Sequence, residues 1–176
     1  MLMADRHEHD LIERAQAGES YAFASLIEAH YPAIFRIAYK WCGNREDAED
    51  IAQDVAIKLG RTVGTFKGNA AFSTWIYRIT LNAVRDFQRM AGRRAHSLSA
   101  MASEPRFETA PDEALAQSEL WRKVRTLAPK QRDAVLLVYA EGLNHAEAAR
   151  AMNCAEKTVS WHIHQARKRL KRLLEE

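Results

Sequence analysis

The fold class this sequence predicts is all-α: two small helical domains joined by a flexible linker, the C-terminal one a helix-turn-helix. Three observations predict it. Every periodic segment has helical spacing, and no run alternates apolar and polar residues as a half-buried strand does. Periodicity lapses from Gly92 to Pro111, through Ser97, Ser99, Ser103, Pro105, Thr109 and Pro111, which reads as a linker of about 20 residues. From Leu127 to Leu174 the chain reads as two short helices, a tight turn and a longer basic helix. The expected division is residues 1–91, a linker over 92–111, and residues 112–176.

In chain order, Leu11, Ile12 and Ala15 line a short first helix that Gly18 closes. Ser20 is expected to cap the next, which turns Phe23, Leu26, Ile27, Ile34, Ile37, Ala38 and Trp41 inward. Pro32 lies inside that run and should bend it. Gly43 ends it, and Asn44 is placed to cap a helix whose inward stripe is Ala48, Ile51, Ala52, Val55 and Leu59. Along the same helix Asp47, Asp50 and Asp54 recur beside Glu46, Glu49 and Gln53. Acids in a first helical turn suit the dipole, which accounts for Glu46 and Asp47. It accounts less well for Asp50 and Asp54, and an acidic face repels phosphate while suiting a basic protein partner.

The loop Thr62–Asn69 holds Gly64 and Gly68, and Asn69 is placed to cap a helix from about Ala70 to Met90. Phe72, Ile76, Ile79, Ala83 and Phe87 form its expected buried face, with Trp75, Arg78, Asn82, Arg85 and Arg89 on more exposed ones. Trp75 and Tyr77 among Asn and Arg side chains have the composition of a stacking platform for single-stranded nucleic acid, or are core aromatics. After the linker, Asp112 restarts helix, with Leu115, Leu120, Val124 and Leu127 facing the C-terminal unit.

In that unit Pro129 suits a first helical turn, where its missing N–H would be unpaired anyway. Ala134, Leu136, Leu137, Val138 and Ala140 give the helix an apolar body that Glu141-Gly142 ends. Asn144 with Glu147 forms a capping box. Ala146, Ala148, Ala149 and Met152 keep the following helix thin, so another can pack close, and Asn153-Cys154 make the turn. The last helix starts near Glu156 and carries Val159, Ile163, Ala166, Leu170 and Leu173 or Leu174 on one side. Lys157, Arg167, Lys168, Arg169, Lys171 and Arg172 bring positive charge, and no acid falls between Lys157 and Leu174. This is the pattern of a helix-turn-helix whose second helix enters a DNA major groove. The alternative is a three-helix bundle with a solvated basic tail.

The net charge of +3 is unevenly placed, at −1 over residues 1–91, −1 over 92–115 and +5 over 116–176. The excess lies on the DNA-reading part, as an electrostatic footprint for nucleic acid should. The longest apolar run, Ala134 to Ala140, is too short to span a bilayer, and the N-terminus lacks the apolar core of a signal peptide, so a cytoplasmic protein with no membrane contact of its own is expected. Cys42 and Cys154 lack metal-type spacing and read as small apolar residues. His162 and His164 stand two apart and point to different faces, so no metal is expected there. No cofactor motif, Gly-rich phosphate loop, zinc signature or nucleophile elbow is present, so an enzyme is not expected.

Taken together, these stretches resemble the bacterial RNA polymerase sigma factors of the small, extracytoplasmic-function (group IV) type. The residues that carry the resemblance are Asp-Ala-Glu-Asp-Ile-Ala-Gln-Asp at 47–54; Phe66-Lys-Gly; Phe72-Ser-Thr-Trp-Ile-Tyr-Arg-Ile-Thr-Leu-Asn82 with Asp86 and Arg89; Leu127, Pro129, Gln131 and Arg132; Gly142-Leu143 and Glu147-Ala-Ala; Thr158-Val159; and Ala166-Arg-Lys-Arg-Leu170. Two region matches, in order, cover residues 11 to 171. The resemblance implies an alternative sigma factor that binds core RNA polymerase and directs promoter-specific transcription initiation. It implies that Asp47, Asp50, Gln53 and Asp54 dock the polymerase clamp. Lys67, Asn69, Trp75, Arg78, Asn82, Arg85 and Arg89 then take the minus-10 element, where a non-template base is unstacked. Lys157, Thr158, Ser160, Trp161, His162, His164, Arg167 and Lys168 read the minus-35 element.

The chain departs from the family pattern at Ala155, where a capping Ser is common, at Ser160 and His162, often basic in relatives, and at Lys157, which replaces a common Gly. Trp161 is unusual; it either contacts a thymine methyl or sugar or packs on the domain, and packing is the preferred reading. The resemblance also implies an anti-sigma factor that clamps the two domains together. With no extension after the last helix, regulation through a C-terminal tail is not expected. The competing function is a dimeric helix-turn-helix repressor or activator, for which the acidic helix is only a solvated face.

Overall fold

The structure, a computed structural model, describes residues 2–97 and 119–175, with side-chain surroundings for 6–91 and 119–175. The described residues form helices α1 (Leu2–Gln16), α2 (Ser20–Cys42), α3 (Arg45–Thr62), α4 (Phe72–Ser97), α5 (Glu119–Arg125), α6 (Pro129–Val135), α7 (His145–Met152) and α8 (Glu156–Glu175). A 3-10 turn, Val63–Thr65, follows α3, and a π turn, Leu136–Ala140, continues α6. No strand occurs among the described residues.

Two hydrophobic clusters organise these helices. The first gathers Leu26 and Ile34 of α2, Ile51, Val55 and Leu59 of α3, and Ile76 and Val84 of α4, all essentially solvent-free. The second gathers Val124, Leu127, Ala134, Leu137, Met152, Val159, Ile163 and Ala166. They share a boundary. Ile37 of α2 and Leu81 of α4 lie in the second cluster, whereas Leu136 lies in the first. Each of these three is fully buried, and burying such a side chain is worth about 1.5–3 kcal/mol. Neighbouring Leu136 and Leu137, about 100° apart around the helix axis, serve the two different cores.

Much of the local punctuation follows the residues. Asn44 accepts from the Asp47 N–H at 3.1 Å. Asn144 accepts from the Glu147 N–H at 2.9 Å while Glu147 accepts from the Asn144 N–H at 2.9 Å, completing the capping box. Asn153 takes the left-handed conformation, φ 52°, that turns the chain between α7 and α8. The small face of α7, with Ala148, Ala149 and Ala151 buried, packs against both α4 and α8.

Several expectations need correction. Ser20 does not cap α2: the position before the helix is Glu19, which makes no side-chain cap bond and is instead held by Arg14 at 2.8 Å. α4 starts at Phe72, two residues beyond Ala70, and runs past Met90 to Ser97, into the expected linker. A single Gly92 costs only about 1 kcal/mol in a helix, and its neighbours Arg93, Arg94 and Ala95 are good helix formers. Trp75, expected on a more exposed face, is 8% exposed because it packs between Phe66 and Phe72. Leu81 and Val84 are buried although they lie off the expected face, because α4 is covered from two sides. Leu120 is 46% exposed rather than turned toward the C-terminal unit. Asp112, Leu115 and the linker beyond Ser97 lie outside the described residues.

Candidate functional site

Three surfaces of different chemistry emerge. On α3, Asp50, Gln53 and Asp54 are exposed and Asp47 is half-buried. Burial pushes the Asp47 carboxyl above its usual range, and the neighbouring Asp50 and Glu46 charges add to that. The exposed acids rim a cleft of about 860 Å³ between α3 and α4, which also takes in Ile57, Phe87 and Met90. Ile57, 53% exposed, also borders an apolar groove of about 700 Å³ against Phe23, Ile27, Tyr31 and Pro32 of α2. The acidic face is thus an acid edge around apolar surface. The sequence signal for this was Ile57 itself, an isoleucine off the inward stripe and three residues after Asp54.

The second surface is built by the 3-10 turn, the loop after it and the start of α4. Phe66 lies 5.1 Å from Phe72 and 5.4 Å from Trp75, centroid to centroid, so an aromatic cluster floors the region. Above it opens a cleft of about 280 Å³ lined by Thr65, Phe66, Lys67, Asn69, Trp75 and Arg78. A second cleft of about 390 Å³ adjoins it, bounded by Lys58, Thr62, Arg78, Ile79 and Asn82. Lys67, Asn69, Arg78 and Asn82 are exposed at these openings. Gly68 has φ +70°, a conformation that side chains resist, at the point where the loop turns. Together these residues make a small cleft with an aromatic floor and two cations, Lys67 and Arg78, in its lining. Trp75 contributes as a wall, since most of its ring is inside the core.

The third surface is α8. Val159, Ile163 and Ala166 anchor it, while Lys157, Ser160, His164, Arg167, Lys168 and Arg169 are exposed. Trp161 is 55% exposed, which overturns the packing preference, and its edge-to-face ring contact is with the adjacent His162, at 5.0 Å. Ser160 lies 2.9 Å from His145 Nδ1, which ties the start of α8 to the start of α7. His162 is half-buried, and burial, then the Lys130 charge, hold its imidazole below the usual range. Thr158 is half-buried.

Between the second and third surfaces lies a polar cluster that sequence reasoning missed. Asp133 of α6 is fully buried. It accepts from Trp41 Nε1 at 3.0 Å and from Arg85 Nε at 2.9 Å, with Arg85 Nη2 also on the carboxylate. Arg132 is buried beside it, 4.2 Å over the Trp41 ring, and donates to the backbone carbonyls of Trp41, Arg125 and Leu127. Glu141, whose side chain is almost wholly buried, accepts from Arg36 at 2.6 and 3.0 Å. Arg85, one of the expected minus-10 residues, is therefore committed to a carboxylate of the helix-turn-helix unit. Asp133 gave no signal, because an acid beside an apolar run reads as a solvated helix end. Arg89 likewise meets Asp86, at 2.6 Å.

Among the described residues there is no cluster of His, Cys, Asp and Glu fit to hold a metal, and no helix long and apolar enough to cross a membrane. Burial raises the Cys42 thiol to about 11, which leaves it inert at neutral pH.

Comparison with known proteins gives the family. The family description "Sigma-70 region 2" matches residues 26–94, and "Sigma-70, region 4" matches residues 117–170. The ECF RNA polymerase sigma factor SigM of Mycobacterium tuberculosis is 34% identical, over 97% of this chain and 86% of its own. The RNA polymerase sigma-H factor of Pseudomonas aeruginosa is 27% identical, over 99% and 97%. In fold the chain is similar to the sigma factor RpoE of Bartonella quintana, solved with the anti-sigma factor NepR (TM-score 0.73, 24% identity, 87% of this chain and 96% of that one). With the acidic helix, the aromatic-floored cleft and the basic helix-turn-helix all falling inside the two matched regions, the chain belongs to the sigma-70 family, among its extracytoplasmic-function RNA polymerase sigma factors.

Proposed function

We propose that this chain binds core RNA polymerase through Asp47, Asp50, Gln53 and Asp54 and delivers it to promoters that it reads at two places. The loop and helix bearing Lys67, Asn69, Trp75, Arg78, Asn82, Arg85 and Arg89 take the minus-10 element, and the cleft over Phe66 and Trp75 receives an unstacked base, at a cost of a few kcal/mol. The helix bearing Lys157, Thr158, Ser160, Trp161, His162, His164, Arg167 and Lys168 takes the minus-35 element, some side chains on base edges and others on phosphates. The first working unit extends through α4 to Ser97, residues 112–176 are the second, and the tether lies between them. The site of action is the cytoplasm, and a protein inhibitor that holds the two units together, an anti-sigma factor, is a partner.

The observation that best supports this reading is the separation of chemistry. Carboxylates predominate on the α3 surface, whose cleft also takes in Lys58 and Arg89, while cations and one exposed tryptophan edge the other two surfaces. A consequence concerns Arg85. It serves Asp133 in the closed chain and DNA in the open one, so promoter binding requires the two units to part.

Co-purification with core polymerase and run-off transcription from genomic promoter fragments test the reading. Reversing charge with Asp50→Lys and Asp54→Lys is expected to weaken association with core polymerase by about a hundredfold or more, as like-charge juxtaposition costs several kcal/mol. Full-strength association of that folded variant would refute the docking assignment. Absence of transcription from every fragment would refute the promoter role.

A further inference from the structure

α1 is part of none of the three surfaces, yet its last residue reaches one of them. Gln16 Nε2 donates to the backbone carbonyls of Val63, at 3.1 Å, and Phe66, at 2.8 Å. These carbonyls bracket the 3-10 turn that precedes Lys67, Gly68 and Asn69. The turn's own bonds, Phe66 N–H to Val63 O at 3.1 Å and Thr65 Oγ1 to Thr62 O at 2.7 Å, are local. Among the described residues, the Gln16 pair are the hydrogen bonds that tie this turn to a helix outside α3. The segment also holds Gly64 and Gly68, whose backbone freedom works against a fixed pocket. A carboxamide nitrogen carries two N–H donors, and here each has a carbonyl to meet.

We infer that Gln16 is a positioning residue for the minus-10 cleft: it touches no DNA, but sets the backbone from which Phe66, Lys67 and Asn69 present the pocket. The inference rests on the proposed minus-10 role of that loop. Two neutral hydrogen bonds hold the turn, and losing both shifts its equilibrium by about ten- to thirtyfold. A misplacement of about 1 Å can cost a positioned site up to about a hundredfold, and the loss is expected at the bases this pocket holds. The donor matters more than the shape, so Gln16→Lys, which keeps N–H groups at the end of a long side chain, retains the function. Gln16→Met, similar in size but without a donor, does not.

The test uses holoenzyme assembled from core polymerase and the full chain, on promoter templates that differ by single minus-10 bases. Gln16→Met is expected to lose about tenfold in base discrimination at the positions that Lys67→Ala and Asn69→Ala affect. Affinity for core polymerase and for a minus-35-only duplex stays at the wild-type value, and Gln16→Lys stays close to wild type. Wild-type discrimination in Gln16→Met while the loop variants lose theirs would overturn the inference, as would a loss equal across all templates, which is what a merely structural role produces. Wild-type discrimination in the loop variants as well would overturn the minus-10 assignment of the loop, and the inference with it. Amide hydrogen exchange in the free chain gives an independent reading. Exchange over residues 64–70 should quicken about tenfold in Gln16→Met, and unchanged exchange refutes the tether.

Discussion

α4 and α8 are the two helices assigned to DNA, and they are built in opposite ways. α4 is covered from two sides: Trp75, Ile76, Leu81 and Val84 are buried, Arg85 is bound to Asp133 and Arg89 to Asp86. α8 buries only Val159, Ile163 and Ala166, and leaves Arg167, Lys168 and Arg169 in solvent. A helix with open cations meets phosphate by releasing counterions and needs no rearrangement. A helix whose arginine already has a buried carboxylate must exchange partners first. On the proposed assignment the two promoter elements have different requirements: the minus-35 surface is ready in the closed chain, and the minus-10 surface is complete only after the units part.

The largest effect that can break this contrast is at Asp133. Asp133→Ala strands the Trp41 N–H and the Arg85 guanidinium, and removing one partner of a buried pair costs about 3–5 kcal/mol. Urea unfolding of the full chain should report it. A loss below about 1 kcal/mol would mean that Asp133 does not hold α4 to the C-terminal unit. On the α8 side, Trp161→Ala should cost about 1–3 kcal/mol of minus-35 affinity, the range of a good base contact, with little change in stability because the ring is exposed. The reverse pattern, lost stability with unchanged affinity, would return Trp161 to a packing role. A smaller effect comes from Asn144→Ala, which removes the capping box that starts α7 and should cost about 1 kcal/mol of stability.

The smallest effect sharpens the contrast by pH. His162 is held below its ordinary range by burial, so the unfolded chain binds more protons than the folded one as pH falls through about 6.5. Stability therefore declines on acidification below that point, and His162→Gln should flatten this part of the profile. A thermal-melting series from pH 7.5 to 5.5 reads it, and identical slopes in the two proteins would remove His162 as the cause.

Much of this was legible in the residues. Helix spacing located, in part, all eight helices among the described residues, and Asn44, Asn144 and Asn153 act at the helix ends where their side-chain chemistry suggests. The exposed members of each surface were legible because charge has to go somewhere wet. What escaped reading was what depends on one unit meeting another. Leu81 and Val84 lie off the periodic face of α4 because a second partner covers them. Trp75 looked like an exposed platform because nothing local shows that Phe66 folds back onto it. Asp133 is the clearest case, since its partners are 92 and 48 residues away along the chain. Trp161 failed in the other direction: a large aromatic suggests packing, and the spacing of Val159, Ile163 and Ala166 had already filled the buried side of α8.

The exchange at Arg85 is the claim on which the whole contrast turns, and the free chain tests it without polymerase. The measurement is the affinity of the full chain for a forked promoter carrying single-stranded minus-10 bases, in wild type, Asp133→Asn, Arg85→Ala and the double variant, at a temperature where all are folded. Asp133→Asn keeps the shape and weakens the hold on Arg85, so it should bind about tenfold more tightly by raising the fraction of open chain. That gain should vanish when Arg85 is also replaced. Unchanged affinity in Asp133→Asn, or a gain that survives the loss of Arg85, would contradict the account.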